Sequence, residues 1–409
     1  MSFTRREFGQ LALASLPATA FLGTDLFGWR EFQAKPNSLI NGVQIGTITY
    51  SYRQMPDQSA EATLQYVVAS GISAIELMDG PVDAWARAQT GFTPPNAGRR
   101  GGGAGAAGGG RGPGAPGGGA PPTPPAPAPD PTDTRSWNGQ PCASSGRRGG
   151  GAPAGAPPAG GGAGAAGAAA GGGGGARGGG RAEQTPEQIA QQQEAAETIR
   201  KWRQSVPMDV YKKLRKMYND AGVTIYAVKN LGLNATDEEL EIQFAVAEAL
   251  GANHVTAELP SGANAAQVLK RIGDWAMKKK IYAAYHTHLQ GSMTAFDEAF
   301  ALSKGNMANV DLGHFVAGGN KGGTPIDFIT KFHDRISSVH LKDRTMPEHC
   351  ELNLPWGTGE TPITQILQTM RKNKYKFPAS VELEYSVPEG SDAVKEVRKC
   401  VDYCRAALA

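Results

Sequence analysis

Four of the seven histidines in this 409-residue chain stand at or just after the ends of predicted strands. They are His286, His288, His314 and His340. Carboxylates occupy comparable positions, namely Glu76, Glu258, Asp311, Glu382 and Glu384. Imidazoles and carboxylates that converge from several strands are a common way for a protein to hold a divalent cation. The pattern therefore predicts a metal site with mixed oxygen and nitrogen ligands.

Spacing along the strands supports this hypothesis. Side chains two positions apart on a strand point to the same side, so each of three pairs can line one cavity. The pairs are His286 with His288, His340 with Lys342, and Glu382 with Glu384. Taken alone, a histidine at a strand end is usually a packed residue, Glu258 could be a salt-bridge partner at a barrel rim, and Lys342 could be solvated. Because successive units supply such residues together, the metal site is the favoured interpretation.

The elements that must position these residues alternate between short β-branched runs and longer helical patterns. Predicted strands cover 42–49, 72–77, 223–228, 254–257, 281–285, 308–311, 336–341 and 379–383. Predicted helices cover 188–202, 208–221, 237–250, 265–279, 294–303, 325–334, 362–372 and 391–408, and Thr236 with Glu239 has the spacing of a capping box. Eight strands with helices between them predict an α/β fold, a single (β/α)8 TIM barrel, in preference to an open eight-stranded sheet.

One segment is set apart by its composition. Residues 94–182 contain no Leu, Ile, Val, Phe or Met and are dominated by Gly, Ala and Pro. Such a segment cannot bury enough apolar surface to offset its ordering entropy, so we expect a disordered insertion. The barrel would then consist of residues 37–93 and 183–409. Because the insertion carries eight arginines and two aspartates, the rest of the chain has a net charge of −3, which argues against a nucleic-acid partner.

The first 36 residues resemble an export leader. Arg5 and Arg6 precede a short apolar run and small residues, as in a twin-arginine signal, although a chance arginine pair on an amphipathic helix is the alternative. We expect a periplasmic or extracytoplasmic protein without a stable membrane span after export, and a homo-oligomer is left open.

The four cysteines do not suggest a disulfide framework. Cys142 lies in the insertion, and Cys400 and Cys404 are expected to be small packing residues on the last helix. An oxidising compartment would permit a bridge, but nothing in the sequence selects a pair.

Three segments resemble the xylose-isomerase-like TIM-barrel superfamily. They are Tyr285-His286-Thr287-His288, Asp311-Leu312-Gly313-His314 with the following Phe315-Val316-Ala317-Gly318-Gly319, and Val339-His340-Leu341-Lys342-Asp343. The resemblance extends from about Asn41 to the end of the chain without the insertion. The superfamily includes sugar phosphate isomerases and epimerases, inosose dehydratase and metal-dependent endonucleases.

The resemblance implies roles for individual residues. It implies metal ligation by Glu258, Asp311, His340 and Glu382, with His286 and Glu384 as further candidates, and catalysis by Glu258 and Glu382. Contacts to substrate are assigned to His286, His288, His314, Lys342, Lys229, Glu76 and Trp356. Trp356 could stack on a sugar or equally pack at the rim. Ketose epimerases carry a glutamate where this chain has His286, so a two-glutamate mechanism is less secure here.

The implied cofactor is one divalent ion, with Mn²⁺ first and Mg²⁺, Co²⁺ or Zn²⁺ as alternatives. The implied reaction is isomerisation or epimerisation of an unphosphorylated sugar or polyol through an enediolate. A lyase or dehydratase acting on an inosose or a 3-keto-glycoside is the second hypothesis. A non-catalytic sugar-binding protein is the alternative from another class.

Overall fold

The computed structural model describes residues 35–95, 135–142 and 185–409 of the chain. Pro36–Ala409 belong to one compact unit, and the other unit, Met1–Lys35, lies almost entirely outside the described residues. The predicted export leader is therefore among the residues that the structure does not describe. The same holds for most of the predicted insertion.

Eight parallel strands form a closed barrel, which confirms the predicted fold. In chain order they are β1 Val43–Ile48, β2 Ala74–Met78, β3 Thr224–Lys229, β4 His254–Glu258, β5 Tyr282–His286, β6 Asn306–Asp311, β7 Ile336–Leu341 and β8 Ala379–Val381. Each strand pairs with its neighbours in chain order, and β8 pairs with β1 to close the ring. A two-residue strand, Leu39–Ile40, pairs antiparallel with β1. All eight predicted strands are present, with bounds shifted by a few residues at most.

Helices surround this ring. They are α1 Ala60–Ala69, α2 Asp79–Thr90, α3 Pro186–Ser205, α4 Met208–Asp220, α5 Asp237–Leu250, α6 Ala265–Lys279, α7 Asp297–Leu302, α8 Leu312–Ala317, α9 Pro325–Lys331, α10 Ile363–Asn373 and α11 Ala393–Leu408. The sequence patterns had not indicated α1, α2 or the short α8. Within the described residues, no helix is long and apolar enough to cross a membrane.

Local sequence signals set several helix ends. The predicted capping box at the start of α5 is present, since the Thr236 hydroxyl accepts from the Glu239 amide and the Glu239 side chain accepts from the Thr236 amide. Gly251 ends the same helix with φ of 80°, in the left-handed region that glycine adopts at little cost. The apolar faces of the helices and the outward-pointing strand residues share one continuous core.

The barrel interior is unusually polar. Inward positions of neighbouring strands carry Glu76, Thr256, Asn309, Ser338 and His340, and each of these residues is almost completely buried. Their outward neighbours, such as Val310 and Val339, are packed in the core. This alternation follows from the two-residue period of a strand and places the polar side chains together inside the ring.

A disulfide bond joins Cys142 to Cys350, 208 residues later in the chain. The sequence had not selected this pair, and Cys142 was expected to lie in the disordered insertion. Residues 135–142 also contain a small hairpin, whose strands Ser136–Trp137 and Gln140–Pro141 flank the turn residues Asn138 and Gly139. Composition had indicated disorder for these eight residues because it cannot show a covalent contact so distant in sequence. Cys400 and Cys404 are buried and free, as predicted.

Candidate metal and active site

The carboxyl ends of β5 to β8 bring four metal-type donors into one buried group. His286, Asp311, His340 and Glu382 each offer an atom, and these atoms all lie within 4.8 Å of one another. The strand register explains the meeting, because Asp311 on β6 lies directly beside His340 on β7, and Glu382 follows the last residue of β8. The structure thus brings together three of the four predicted ligands, with His286 as the fourth member.

Glu258, the remaining predicted ligand, lies in an adjacent group. It shares that group with His286 and His288, whose candidate atoms are again within 4.8 Å of one another. The Glu258 side chain is 44 % exposed, its Oε1 accepts from the Lys229 ammonium at 2.7 Å, and its Oε2 is 3.6 Å from His288 Nδ1. Burial opposes ionisation of Glu258, but Lys229 outweighs it and holds the pKa of this carboxyl below its usual value. Glu258 is therefore an ionised carboxylate beside the four-donor group, with Oε1 held by Lys229 and Oε2 buried without a hydrogen-bond donor among the described residues.

Buried residues beneath the four-donor group form a hydrogen bond with one ring nitrogen of His286 and with one of His340. The Asn309 side-chain oxygen lies 3.1 Å from His286 Nδ1, and Glu76 Oε2 lies 2.8 Å from His340 Nε2. Both oxygens are acceptors, so these ring nitrogens carry the protons. His286 Nε2 is then left for another partner, whereas His340 Nδ1 already faces Glu382 Oε2 at 2.8 Å. Histidine ligands in metal sites are oriented by contacts of this kind.

The Glu76 carboxylate supports the site from beneath. It is fully buried and accepts from Thr256 Oγ1 at 2.6 Å, from Asn309 Nδ2 at 3.0 Å and from His340. Burial would raise its pKa, but His340 and the hydrogen bonds lower the pKa of Glu76 to about 2. Both oxygens of Glu76 accept hydrogen bonds from protein groups, so neither is available for the predicted contact with a substrate. The structure instead favours a role for Glu76 in orienting His340.

Sequence reasoning missed Asn309 and Thr256. A usable signal existed, because each stands two residues before a predicted ligand on the same strand and so points the same way. Asn309 precedes Asp311, and Thr256 precedes Glu258.

Lys342 is a buried counter-ion of three carboxylates. Its ammonium lies 3.0 Å from Asp311 Oδ2, 3.1 Å from Glu382 Oε2 and 2.8 Å from Glu384 Oε2. Burial disfavours its charge, but these carboxylates raise the pKa of Lys342 above its usual value. Glu384, a further candidate ligand, is thus an ion-pair partner of Lys342. Lys342 itself is buried, so the predicted contact between Lys342 and a substrate has little exposed surface available.

The close packing around Gly313 explains why the Asp-x-Gly-His segment has glycine at its third position. A Cβ atom at this position would meet the Lys342 side chain and stand only 2.6 Å from the Lys342 carbonyl oxygen. A side chain there would displace the backbone that carries Lys342. The glycine therefore permits the close approach of α8 to the end of β7.

His288 and His314 form the upper rim of the cavity. Their rings are 4.8 Å apart, and His286 lies 5.1 Å from His288. The Arg344 guanidinium donates to His314 Nδ1, so the proton of this imidazole is on Nε2, 3.8 Å from Glu384. Burial, Lys342 and Arg344 together hold the pKa of His314 well below its ordinary value. Arg344, which the sequence analysis did not single out, thus makes His314 a neutral hydrogen-bond donor.

The loop that contains Trp356 is folded around Asp343. The Asp343 carboxylate accepts from the backbone amides of Gly357, Thr358, Gly359 and Thr361 at 2.8–3.1 Å. Trp356 packs edge-on against Tyr403 of α11, with ring centres 5.8 Å apart. This contact favours rim packing over the predicted sugar stacking.

The four-donor group fits a divalent cation by its chemistry. It offers two imidazole nitrogens, His286 Nε2 and His340 Nδ1, and two buried carboxylates, and a bound ion would take the place of the hydrogen bond between His340 Nδ1 and Glu382 Oε2. The Asp311 carboxylate is fully buried, and burial raises its pKa to about 6 although the Lys342 ammonium lies 3.0 Å from Oδ2. Buried carboxylates are costly unless cations compensate their charge, and the single ammonium of Lys342 is shared among Asp311, Glu382 and Glu384.

Solved structures similar to this chain share little of its sequence. The chain is similar in fold to a sugar phosphate isomerase/epimerase from Parabacteroides distasonis, at 14 % identity over 89 % of this chain and 96 % of that one, with a TM-score of 0.47. It is also similar to a probable 3-DHS dehydratase from Bacillus anthracis, at 12 % identity over 88 % and 97 % of the two chains, with a TM-score of 0.47. No curated protein matches the chain significantly.

The family assignment comes from the sequence match. The family described as Xylose isomerase-like TIM barrel matches residues 193–405, which is more than half of the chain. The matched region contains eleven of the twelve predicted site residues, all except Glu76, and the closed eight-stranded barrel is the fold that the family name states. This chain belongs to the Xylose isomerase-like TIM barrel family.

Proposed function

We propose that this chain is an enzyme that moves a proton at a carbon next to a carbonyl group, as a sugar isomerase or epimerase. The observation that carries the proposal is the position of Glu258. An ionised, half-exposed carboxylate with a histidine 3.6 Å away adjoins a buried group of four metal-type donors. A base beside a site that can polarise a carbonyl is the arrangement that such a proton transfer needs.

Glu258 is the base in this proposal. Its carboxylate takes the proton from the carbon next to the carbonyl, while Lys229 keeps it ionised before the reaction. Return of the proton to the neighbouring carbon completes an isomerisation, and return to the opposite face of the same carbon completes an epimerisation. His288, beside Glu258, and the Nε2–H of His314 are placed to donate hydrogen bonds to the substrate oxygens.

One divalent ion belongs to the proposal, held by His286, Asp311, His340 and Glu382. When bound, such an ion supplies Lewis-acid polarisation of the carbonyl. Glu382 is then a ligand in place of the second base that the resemblance implies, because its Oε2 already lies 2.8 Å from His340 Nδ1 and 3.1 Å from Lys342.

The charge balance of the cavity supports an unphosphorylated substrate. Among the described residues, the lysines and the arginine at the cavity are already engaged: Lys229 by Glu258, Lys342 by three carboxylates, and Arg344 by His314 and the Glu351 carbonyl oxygen. A phosphate needs donors that are free to pair with it. Export by the twin-arginine pattern, which we also propose, would likewise separate the enzyme from cytoplasmic sugar phosphates.

Elimination is the second candidate reaction. His288 and His314 stand with ring centres 4.8 Å apart on the rim, and the neutral His314 can donate a hydrogen bond to a departing hydroxyl or glycosidic oxygen, which would take up the proton that Glu258 removed. Loss of that group after proton removal would make the protein a lyase acting on an inosose or a 3-keto-glycoside.

Proton NMR in D₂O distinguishes these reactions. The full chain, equilibrated with a divalent ion, is incubated with ketoses, inososes and 3-keto-glycosides. Deuterium entering a substrate with a change of isomer supports the isomerase or epimerase, and loss of water or of the aglycone supports the lyase. Sugar binding without either change would instead identify a non-catalytic binding protein.

Two glutamate variants provide the matched comparison. Glu258→Gln should lower the exchange rate by at least about 100-fold, the usual size of a general-base contribution, while metal content stays the same. Glu298→Gln, an exposed position on α7, should have the rate of the unchanged chain. Equal rates in both variants would exclude Glu258 as the base.

A further inference from the structure

The donors that the structure gathers differ in kind from the set that the resemblance implies. Three oxygen ligands and one nitrogen were predicted, but the buried group contains His286 in place of Glu258 and so has two nitrogens and two oxygens. We propose that this site binds one Zn²⁺ in preference to Mn²⁺ or Mg²⁺, and that Asn309 is the positioning residue that makes His286 a ligand. The inference rests on the metal centre of the proposed function.

Donor chemistry supports zinc. Carboxylate and carbonyl oxygens suit Mg²⁺ and Mn²⁺, whereas imidazole favours ions later in the first transition row. Zn²⁺ accepts four ligands of this mixed type at short distances and has no need of the six oxygens that Mg²⁺ prefers. Exchange of one carboxylate for an imidazole therefore moves the preference away from Mn²⁺ and Mg²⁺.

Asn309 makes His286 available in the required form. Its side-chain oxygen faces His286 Nδ1 at 3.1 Å, while its amide group donates to Glu76 at 3.0 Å and to Ser338 Oγ at 2.6 Å. These two donor bonds identify the oxygen as the atom that faces the histidine. Because an amide oxygen only accepts, the His286 proton is held on Nδ1, and Nε2 presents its lone pair to the cavity.

The same hydrogen bond limits the site to a single ion. His286 belongs both to the four-donor group and to the group with Glu258 and His288. With Nδ1 bound to Asn309, only one nitrogen remains, and one lone pair cannot serve two ions. Glu258 is in addition paired with Lys229. We therefore expect a stoichiometry of one Zn²⁺ per chain.

Equilibrium dialysis against mixed metals tests the preference without any substrate. The full chain is dialysed against equal concentrations of Zn²⁺, Mn²⁺ and Mg²⁺, and the bound ions are measured by mass spectrometry. We expect about one Zn²⁺ per chain and at least about 100-fold selectivity over Mn²⁺, in the order of affinities known for nitrogen-containing sites. Equal or greater Mn²⁺ binding, or two ions per chain, would overturn the proposal.

Variants at the two residues separate ligation from positioning. His286→Glu should reduce the Zn²⁺ to Mn²⁺ ratio by at least about 10-fold, since it restores a third carboxylate. Asn309→Leu should weaken Zn²⁺ binding by about 10- to 100-fold, the usual effect of losing the partner of a histidine ligand. Ser338→Ala is the control, because it removes the hydrogen bond between Asn309 and Ser338 but keeps the hydrogen bond between Asn309 and His286.

A spectroscopic measurement shows whether Asn309 acts through the His286 proton. Nitrogen-15 shifts of the imidazole should report a proton on Nδ1 in the unchanged chain and in Ser338→Ala, and a mixture of tautomers in Asn309→Leu. An unchanged ratio in His286→Glu, or an unchanged tautomer in Asn309→Leu with the fold retained by circular dichroism, would refute the inference. The dialysis result does not depend on turnover, so failure of the proposed reaction would be seen separately in the D₂O experiment.

Discussion

The barrel holds two completely buried carboxylates, Glu76 and Asp311, whose surroundings differ. Glu76 belongs to a lower layer of polar side chains and Asp311 to a cavity layer, which contains the four-donor group and Lys342. The lower layer consists of Glu76, His254, Thr256, Asn309 and Ser338. Glu76, in the lower layer, accepts hydrogen bonds from Thr256, Asn309 and His340, and its pKa is lowered to about 2. Asp311, in the cavity layer, accepts one hydrogen bond, from the His314 amide, and its pKa is raised to about 6. Equal burial thus ends in opposite shifts, because His340 and the hydrogen-bond donors outweigh burial at Glu76, whereas at Asp311 burial together with Glu382 outweighs the Lys342 ammonium.

The contrast extends to the two layers as a whole. From Asn309 downward, hydrogen bonds continue through Ser338 and His254 to the side chain of Asn253, with a donor for each acceptor. The cavity layer instead concentrates acceptors around one ammonium and one imidazole. A layer whose polar groups are satisfied within the protein is support, whereas a layer with unsatisfied acceptors needs a cation from outside.

Replacement of a cavity-layer ligand should have the largest effect. His340→Ala removes one donor and leaves Glu382 without its 2.8 Å partner, so we expect loss of bound metal and a fall in turnover of at least about 1000-fold. Metal analysis and the D₂O assay measure both quantities. His333→Ala, at an exposed histidine, is the control and should change neither. If His340→Ala still bound a full equivalent of metal, the claim that the cavity layer holds the ion would be contradicted.

The burial of His254 in the lower layer should make the free energy of unfolding depend on pH. Burial lowers the pKa of His254 to about 4, so between pH 6.5 and 4 the unfolded chain binds a proton there that the folded chain does not. Stability from this residue is complete above pH 6.5 and decreases by about 3 kcal/mol as the pH falls to 4. Urea unfolding at pH 7 and pH 4.5 tests this, and His254→Gln should show a smaller decrease. Identical decreases would mean that His254 is not kept neutral by the fold.

The smallest effect is expected where the layers meet. Glu76→Gln keeps an oxygen that can accept from His340 but removes the charge, so metal affinity should fall by about 10- to 100-fold without loss of the fold. Metal titration followed by circular dichroism measures both properties. A loss as complete as that of His340→Ala would show that Glu76 belongs to the cavity layer after all.

The comparison also explains which parts of the site could be predicted. The residue types at the strand ends are readable from the sequence, and period two correctly indicates which of them share a face. The choice between Glu258 and His286 was not readable in this way. They are direct neighbours across β4 and β5, and only the salt bridge of Glu258 with Lys229 and the hydrogen bond of His286 with Asn309 separate their roles.

The sequence by itself determined the eight strands, the order of strands and helices, and the capped start of α5, because these depend on local periodicity and on side chains a few residues apart. Tertiary structure alone decided the four-donor group, the oriented tautomers of His286 and His340, the engagement of Lys342 by three carboxylates and the bridge between Cys142 and Cys350. Each of these is a contact between residues far apart in the chain. Their partners are selected by the closure of the barrel, which places strand ends side by side regardless of their separation in sequence.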